Sequence, residues 1–231
     1  MNVLFVGRSV YHFTYYESLI RQLCRNGHSV EMVYDEQWSQ GQPDGSLRRF
    51  LSEGKGPTLS WGLRRSDKYR RLLFEARELR SYSSYLCRTL SDAQSEFYLK
   101  RWRSYLMPFV RYGADRWPLK SLLARNAAQS FLEAVERFVP PDKKIVRSLS
   151  DKRPDVVVAS PANMRFSEEV EYIKAAKAIG IPTAILVLSW DNLTTKGLFA
   201  VVPDLALVWN EAHFEEAVGV HKIPRSNAVI V

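Results

Sequence analysis

The sequence predicts an α/β protein: a Rossmann-like parallel sheet flanked by helices, with a basic helical insertion over residues 64–150. Three observations predict it. A βαβ unit opens the chain, an α/β rhythm resumes after Pro154, and the helical segments between them carry most of the positive charge. Composition agrees, since 46% hydrophobic, 12% aromatic and 25% charged residues describe a folded chain with ample core material. At 231 residues the length lies between one large domain and two small ones.

The elements follow in order. An apolar strand spans Val3 to Val6, and a loop from Gly7 to Phe13 leads to a helix whose start is marked by the capping box Thr14-x-x-Glu17. Tyr16, Leu19, Ile20, Leu23 and Cys24 recur at helical spacing and give one apolar face. Gly27 closes that helix, and a second strand runs from Ser29 to Tyr34. From Glu36 to Leu63, Gly, Pro, Ser and Gln cluster without period, so a long loop is expected, with one short helix near Ser46–Ser52. Helical signals return over Ser66–Leu90, Asp92–Val110, Pro118–Val139 and Asp142–Ser150. A strand at Asp155–Ala159 then precedes a helix capped by Ser167, with Glu168 and Glu169 in its first turn. Further strands are expected at Thr183–Leu188, Leu205–Trp209 and Asn227–Val231, with Asn210 as N-cap of the last helix. A chain that stops on NAVIV without a covering helix suggests a truncation or one lobe of a longer protein.

Net charge is +8 and unevenly placed: residues 64–125 hold 15 Lys/Arg against 6 Asp/Glu, and the remainder 18 against 19. Such a patch attracts phosphate-rich partners, whether nucleic acid or an anionic membrane surface. Within it, YLKRWRSYLMPFVRYGADRW interleaves cations with aromatics, which also suits a solvated helix pair with long cationic edges. No apolar run approaches the roughly 20 residues of a membrane span, and the N-terminus is too short for a secretory signal. Cys24 and Cys87 lack metal or redox spacing and read as buried reduced thiols, which places the chain in the cytoplasm. The Asn192-Leu193-Thr194 sequon has no use there.

Four polar loops follow expected parallel strands and converge on one sheet edge, where an α/β ligand crevice forms. They hold Arg8, Ser9 and His12; Ser160, Asn163 and Arg165; Ser189, Trp190, Asp191, Asn192, Thr194, Thr195 and Lys196; and Asn210 with Glu211. GRSVYH has one glycine where a dinucleotide fingerprint needs three, and no P-loop exists, so no cofactor is expected. No histidine pair has metal-ligand spacing beside a carboxylate, so no metal is expected either. His12 suits proton abstraction from a hydroxyl or orientation of a phosphate; capping a helix or bonding to backbone is the plainer alternative. His28, His213 and His221 read as structural or exposed. In SWDNLTTKG, Trp, Asp, Asn, two Thr and Lys offer a stacking surface, an anion, hydrogen-bonding groups and a cation, a set that fits a sugar or phosphorylated alcohol. The plainer alternative makes it a scaffold of Asx turns with Trp190 packed beneath and Gly197 at positive φ. Arg165 is either a phosphate-pairing cation or a solvated charge.

The first strand with its His-containing loop, YYESLIRQLCRNGHSVEMVY, PDVVVASP, and above all SWDNLTTKG followed by PDLALVWNEA resemble the N-terminal half of bacterial GT-B-fold glycosyltransferase-like proteins. The resemblance spans residues 1–36 and about 130–231. It implies the acceptor-side lobe of a two-lobe protein, with the nucleotide-sugar donor held by a C-terminal lobe absent from residues 1–231. It implies a sugar or lipid-linked acceptor, a role in surface polysaccharide or glycan synthesis, and an interlobe cleft faced by the loops of His12 and Asp191, the two candidate catalytic residues. A lobe of this kind is expected to be inactive alone and to approach the inner membrane face through residues 64–125, with no specific nucleic-acid partner. Two other readings remain at this point: a sugar-nucleotide epimerase-like lobe, and a nucleic-acid-binding or scaffold protein acting through the basic helices.

Overall fold

The computed structural model describes residues 1–39, 45–53, 56–87, 93–114 and 116–231. Strand β1 (Asn2–Gly7) passes through a 3-10 turn, Val10–His12, into helix α1 (Phe13–Arg25), and β2 (Ser29–Tyr34) completes the first βαβ unit. The turn corrects the expected helix start. Ser9 caps it by accepting the Tyr11 N–H, so Thr14 and Glu17 fall inside α1, and Glu17 instead pairs with Arg21 at 2.8 Å. Phe13, Tyr16 and Ile20 form the buried face of α1, while Leu19 is exposed. Gly27, at φ +79°, ends the helix in a conformation that only glycine adopts without strain.

The expected long loop holds more structure than its composition suggests. Short helices α2 (Glu36–Ser39) and α3 (Gly45–Leu51) are followed by strand β3 (Thr58–Trp61), which pairs in parallel with β2. Next come α4 (Arg70–Cys87), α5 (Ala93–Tyr105), α6 (Pro108–Ala114), α7 (Leu119–Leu123), α8 (Asn126–Phe138) and α9 (Lys143–Lys152). The expected ends at Leu90 and Asp92 lie outside the described residues. The segments expected at Asp92–Val110 and Pro118–Val139 are each divided in two, the first at Pro108, whose ring cannot continue the preceding turn.

The second half carries β4 (Val156–Ser160), α10 (Glu169–Ala178), β5 (Thr183–Leu186), α11 (Asn192–Thr195), β6 (Leu205–Val208), α12 (Glu211–Gly219) and β7 (Ala228–Ile230). Ser167 does not cap α10: its hydroxyl donates to the Glu169 carboxylate at 2.5 Å. Asn210 does cap α12, accepting the His213 N–H at 2.9 Å.

All seven strands are parallel, in the order β3-β2-β1-β4-β5-β6-β7. This is the Rossmann order, with its reversal of direction between β1 and β4. Strand alternation divides the core. Leu4, Val6, Val157 and Ala159 face α9, α10 and α12, whereas Val3, Phe5, Val30 and Met32 face α1 and α3. A third cluster, Tyr82, Tyr85, Trp102, Leu106, Ala114 and Leu123, closes the helical insertion on itself. Cys24 and Cys87 are free and half-buried rather than buried. Among the described residues no helix is long and apolar enough to cross a membrane.

Candidate functional site

The parallel topology brings the loops after β1, β4, β5 and β6 to one edge, and hydrogen bonds tie them together. Arg8 donates to the Arg165 carbonyl at 2.8 Å, joining the first two loops. The Asn163 amide donates to the carbonyls of Asn192 (2.8 Å) and Gly197 (3.1 Å) and accepts from the Asn192 amide at 3.1 Å, joining the second to the third. His213 Nε2 donates to the Trp190 carbonyl at 3.0 Å, joining the third to α12.

At the point where the strand order reverses, Arg8 is buried, stacked 4.0 Å over the ring of Trp38. Burial lowers its pKa, and the nearby carboxylates of Glu169 and Asp35 oppose that shift. The Ser9 hydroxyl donates to the Trp38 carbonyl and holds the same turn. His12 is half-buried, and its Nδ1 has no hydrogen-bond partner. Burial first, and the Arg8 cation second, push its pKa below the ordinary imidazole value, so at neutral pH the ring is uncharged, with its Nδ1 closed to solvent. Gly7 does not open space for a phosphate: a Cβ there would overlap the ring of Tyr34.

Ser160 is fully buried, with Tyr16 Oη at 2.5 Å and the Leu186 carbonyl accepting its proton at 2.7 Å. It braces the edge from below. Arg165 is partly buried and faces the insertion, 4.6 Å over Tyr105 and 4.3 Å over Phe166, with its guanidinium donating to the Tyr105 carbonyl.

The SWDNLTTKG loop is held largely by its own side chains. Asp191 accepts from Ser189 (2.5 Å), Thr195 (2.9 Å) and Lys196 (2.9 Å), and these bonds hold its pKa at about 2 against the opposing effect of burial. It is therefore an ionised carboxylate engaged within its own loop. Asn192 accepts from both the N–H and the hydroxyl of Ser189 and is buried, which also closes the sequon to any glycan in the folded chain. Thr194 bonds weakly to the Asp191 carbonyl, and its own carbonyl accepts from Tyr85. Two expectations of the scaffold reading are corrected. Trp190 is 73% exposed rather than packed beneath, and Gly197 is not at positive φ. Gly197 is required by close approach instead, since a Cβ would sit 3.0 Å from Asn163 O, Ser81 Oγ and the Trp102 ring. Glu211 lies exposed in the first turn of α12.

Several residues that shape the site carry no sequence signal. Tyr85 and Trp102, from the insertion, bond to carbonyls of Thr194 and Thr195 and support the third loop from behind. Trp209, half-exposed, is fixed by a bond from Nε1 to the Val187 carbonyl and lies 5.6 Å from the His213 ring. Glu169, buried beside Arg8, has a pKa raised by burial. His213 and His221 are buried and bonded; His221 accepts from Phe199 N–H and donates to the Leu193 carbonyl. Among the described residues, no group of three or more His, Cys, Asp or Glu side chains is arranged to hold a metal.

No known family profile matches the chain, and no curated protein matches it. Among solved structures, a crystal structure of the glycosyltransferase VinC in complex with DTDP is similar at a TM-score of 0.36 and 16% identity, over 83% of this chain. The matched region spans 36% of that protein's length.

Proposed function

We propose that this chain is the acceptor-binding lobe of a glycosyltransferase, which transfers a sugar from a nucleotide-sugar donor to a hydroxyl acceptor in surface polysaccharide or related glycan synthesis. The donor is held by a second, C-terminal lobe. The reading rests on one observation above all: a half-buried, uncharged His12 at the strand-order reversal of a Rossmann-ordered sheet. A hydroxyl placed there donates its proton to the neutral imidazole while its oxygen forms the new bond to the anomeric carbon. The bond from that carbon to the donor's phosphate oxygen breaks, and the nucleoside diphosphate leaves with the electron pair.

The other residues divide the work. Burial, aided by the Arg8 cation, keeps His12 uncharged. Asp191, ionised and held by Ser189, Thr195 and Lys196, fixes the loop that presents Trp190, whose exposed ring stacks on a sugar face. Asn163 and Asn192 lock that loop to the neighbouring one, and Asn210 and Glu211 border it on the α12 side. An acceptor carried on a lipid would be met at an anionic membrane surface by the basic segment 64–125.

Two measurements test the proposal. Oligosaccharide binding by the 231-residue chain, followed by tryptophan fluorescence, is expected to be lost in Trp190→Ala, while tight binding of a nucleotide-sugar to this chain alone would sink the reading. In the protein joined to its donor lobe, His12→Ala is expected to lower turnover by about 100-fold or more. Wild-type turnover there would return His12 to a structural role.

A further inference from the structure

We propose that α6 and α7 form a membrane-docking surface that seats the protein on an anionic lipid bilayer. This inference narrows the charge argument from some sixty residues to one helix pair, and it holds or fails independently of sugar transfer. Between Phe97 and Leu132 the sequence carries seven Lys/Arg and a single acid, Asp115.

The pair is amphipathic in an unusual direction. Its inner face is already satisfied, because Ala114 and Leu123 are buried against Tyr82, Tyr85, Trp102 and Leu106. Its outer face nevertheless presents Trp117 at 84% exposure and Phe109 at 69%, with Tyr112, Leu119 and Leu122 also exposed. These side chains are therefore not core residues that failed to pack. Arg116, Lys120 and Arg125 stand exposed among them, and the Arg116 guanidinium lies 3.5 Å over the Tyr112 ring.

The chemistry of that face selects its partner. Tryptophan and tyrosine favour the headgroup level, where an apolar ring and a polar edge are both satisfied. Phenylalanine and leucine gain by entering the acyl boundary, and the cations meet lipid phosphates. Single-stranded nucleic acid would match the cations and the aromatic rings but leave Leu119 and Leu122 without counterparts. With 7 and 5 residues, α6 and α7 are far shorter than a membrane span, so the contact is interfacial.

Vesicle co-sedimentation of the full 231-residue chain tests this, using pure phosphatidylcholine and phosphatidylcholine mixed with phosphatidylglycerol. Binding is expected only to the mixed vesicles, and each of Arg116→Ser, Lys120→Ser and Arg125→Ser should weaken it about fivefold. With brominated phosphatidylglycerol in the vesicles, wild-type tryptophan emission should be quenched, and Trp117→Tyr, which keeps an aromatic ring at an exposed position and leaves the core untouched, should lose most of that quenching. Equal binding to neutral vesicles, wild-type binding by the triple-serine variant, undiminished quenching in Trp117→Tyr, or binding to single-stranded DNA with no binding to vesicles would each overturn the proposal.

Discussion

Glu78 in α4 is buried, one of its carboxyl oxygens has no partner, and burial pushes its pKa up to about 7. Arg165 offsets part of that shift and Glu75 adds to it. Because the folded pKa lies above the unfolded one, folded Glu78 binds its proton more tightly. The associated stability is present at low pH and lost as pH rises through about 7. Glu78→Gln is therefore expected to unfold at higher urea than wild type near about pH 8, by up to roughly 3 kcal/mol, and to converge with it only at about pH 4 and below. A parallel pair of pH profiles would show that the carboxyl carries no such penalty. At Gly197 the expected outcome has the opposite sign. A methyl group there meets the Asn163 carbonyl, the Ser81 hydroxyl and the Trp102 ring at 3.0 Å each, and Gly197→Ala should cost about 1–3 kcal/mol in chemical denaturation.

At the scale of elements, a buried ionic network fastens the insertion to the sheet layer. Arg77 of α4 holds Glu136 of α8 at 2.7 Å and Glu171 of α10 at 2.7 Å; Lys174 of α10 returns to Glu136 at 2.8 Å, and Arg65 to Glu171 at 2.8 Å. Arg77→Met leaves two buried carboxylates short of a partner and should cost about 3 kcal/mol, while adding Glu136→Gln should recover part of it. The same network shows what was legible in the sequence. The strands β1, β2 and β4 to β7 were legible because apolar runs between breakers announce themselves. Strand β3 was not: Thr58–Trp61 lies at a sheet edge, its two end residues exposed and its middle pair half-buried, so burial leaves no alternation to read. The α1 start was misread because a Thr-x-x-Glu spacing says nothing about a preceding turn capped by Ser9. Of the site, the four loops were legible from the strands before them. The Asn163–Asn192 bridge, the support from Tyr85 and Trp102, and the buried state of Ser160 depend on pairings 26 to 109 residues apart, which no local pattern encodes.

Across the whole molecule, packing is uneven in a way that hydrogen exchange can read. The sheet, α4 and α10 share buried residues and the ionic network, so their amides should exchange only on global unfolding. The α6–α7 pair is anchored chiefly by Ala114 and Leu123 and should exchange earlier, through a local opening. Equal protection in both regions would contradict this. The strand order carries a further consequence, in time rather than in structure. Val3 of β1 meets Val30 on one side and Val156 on the other. Closing the second contact costs about 1.5 kcal/mol more chain entropy than closing the first. The β1–β2 ribbon can therefore assemble early from its own neighbourhood. The β1–β4 seam, where His12 and Asn163 come to share an edge, closes the longer loop, and the candidate site is expected to form after that ribbon.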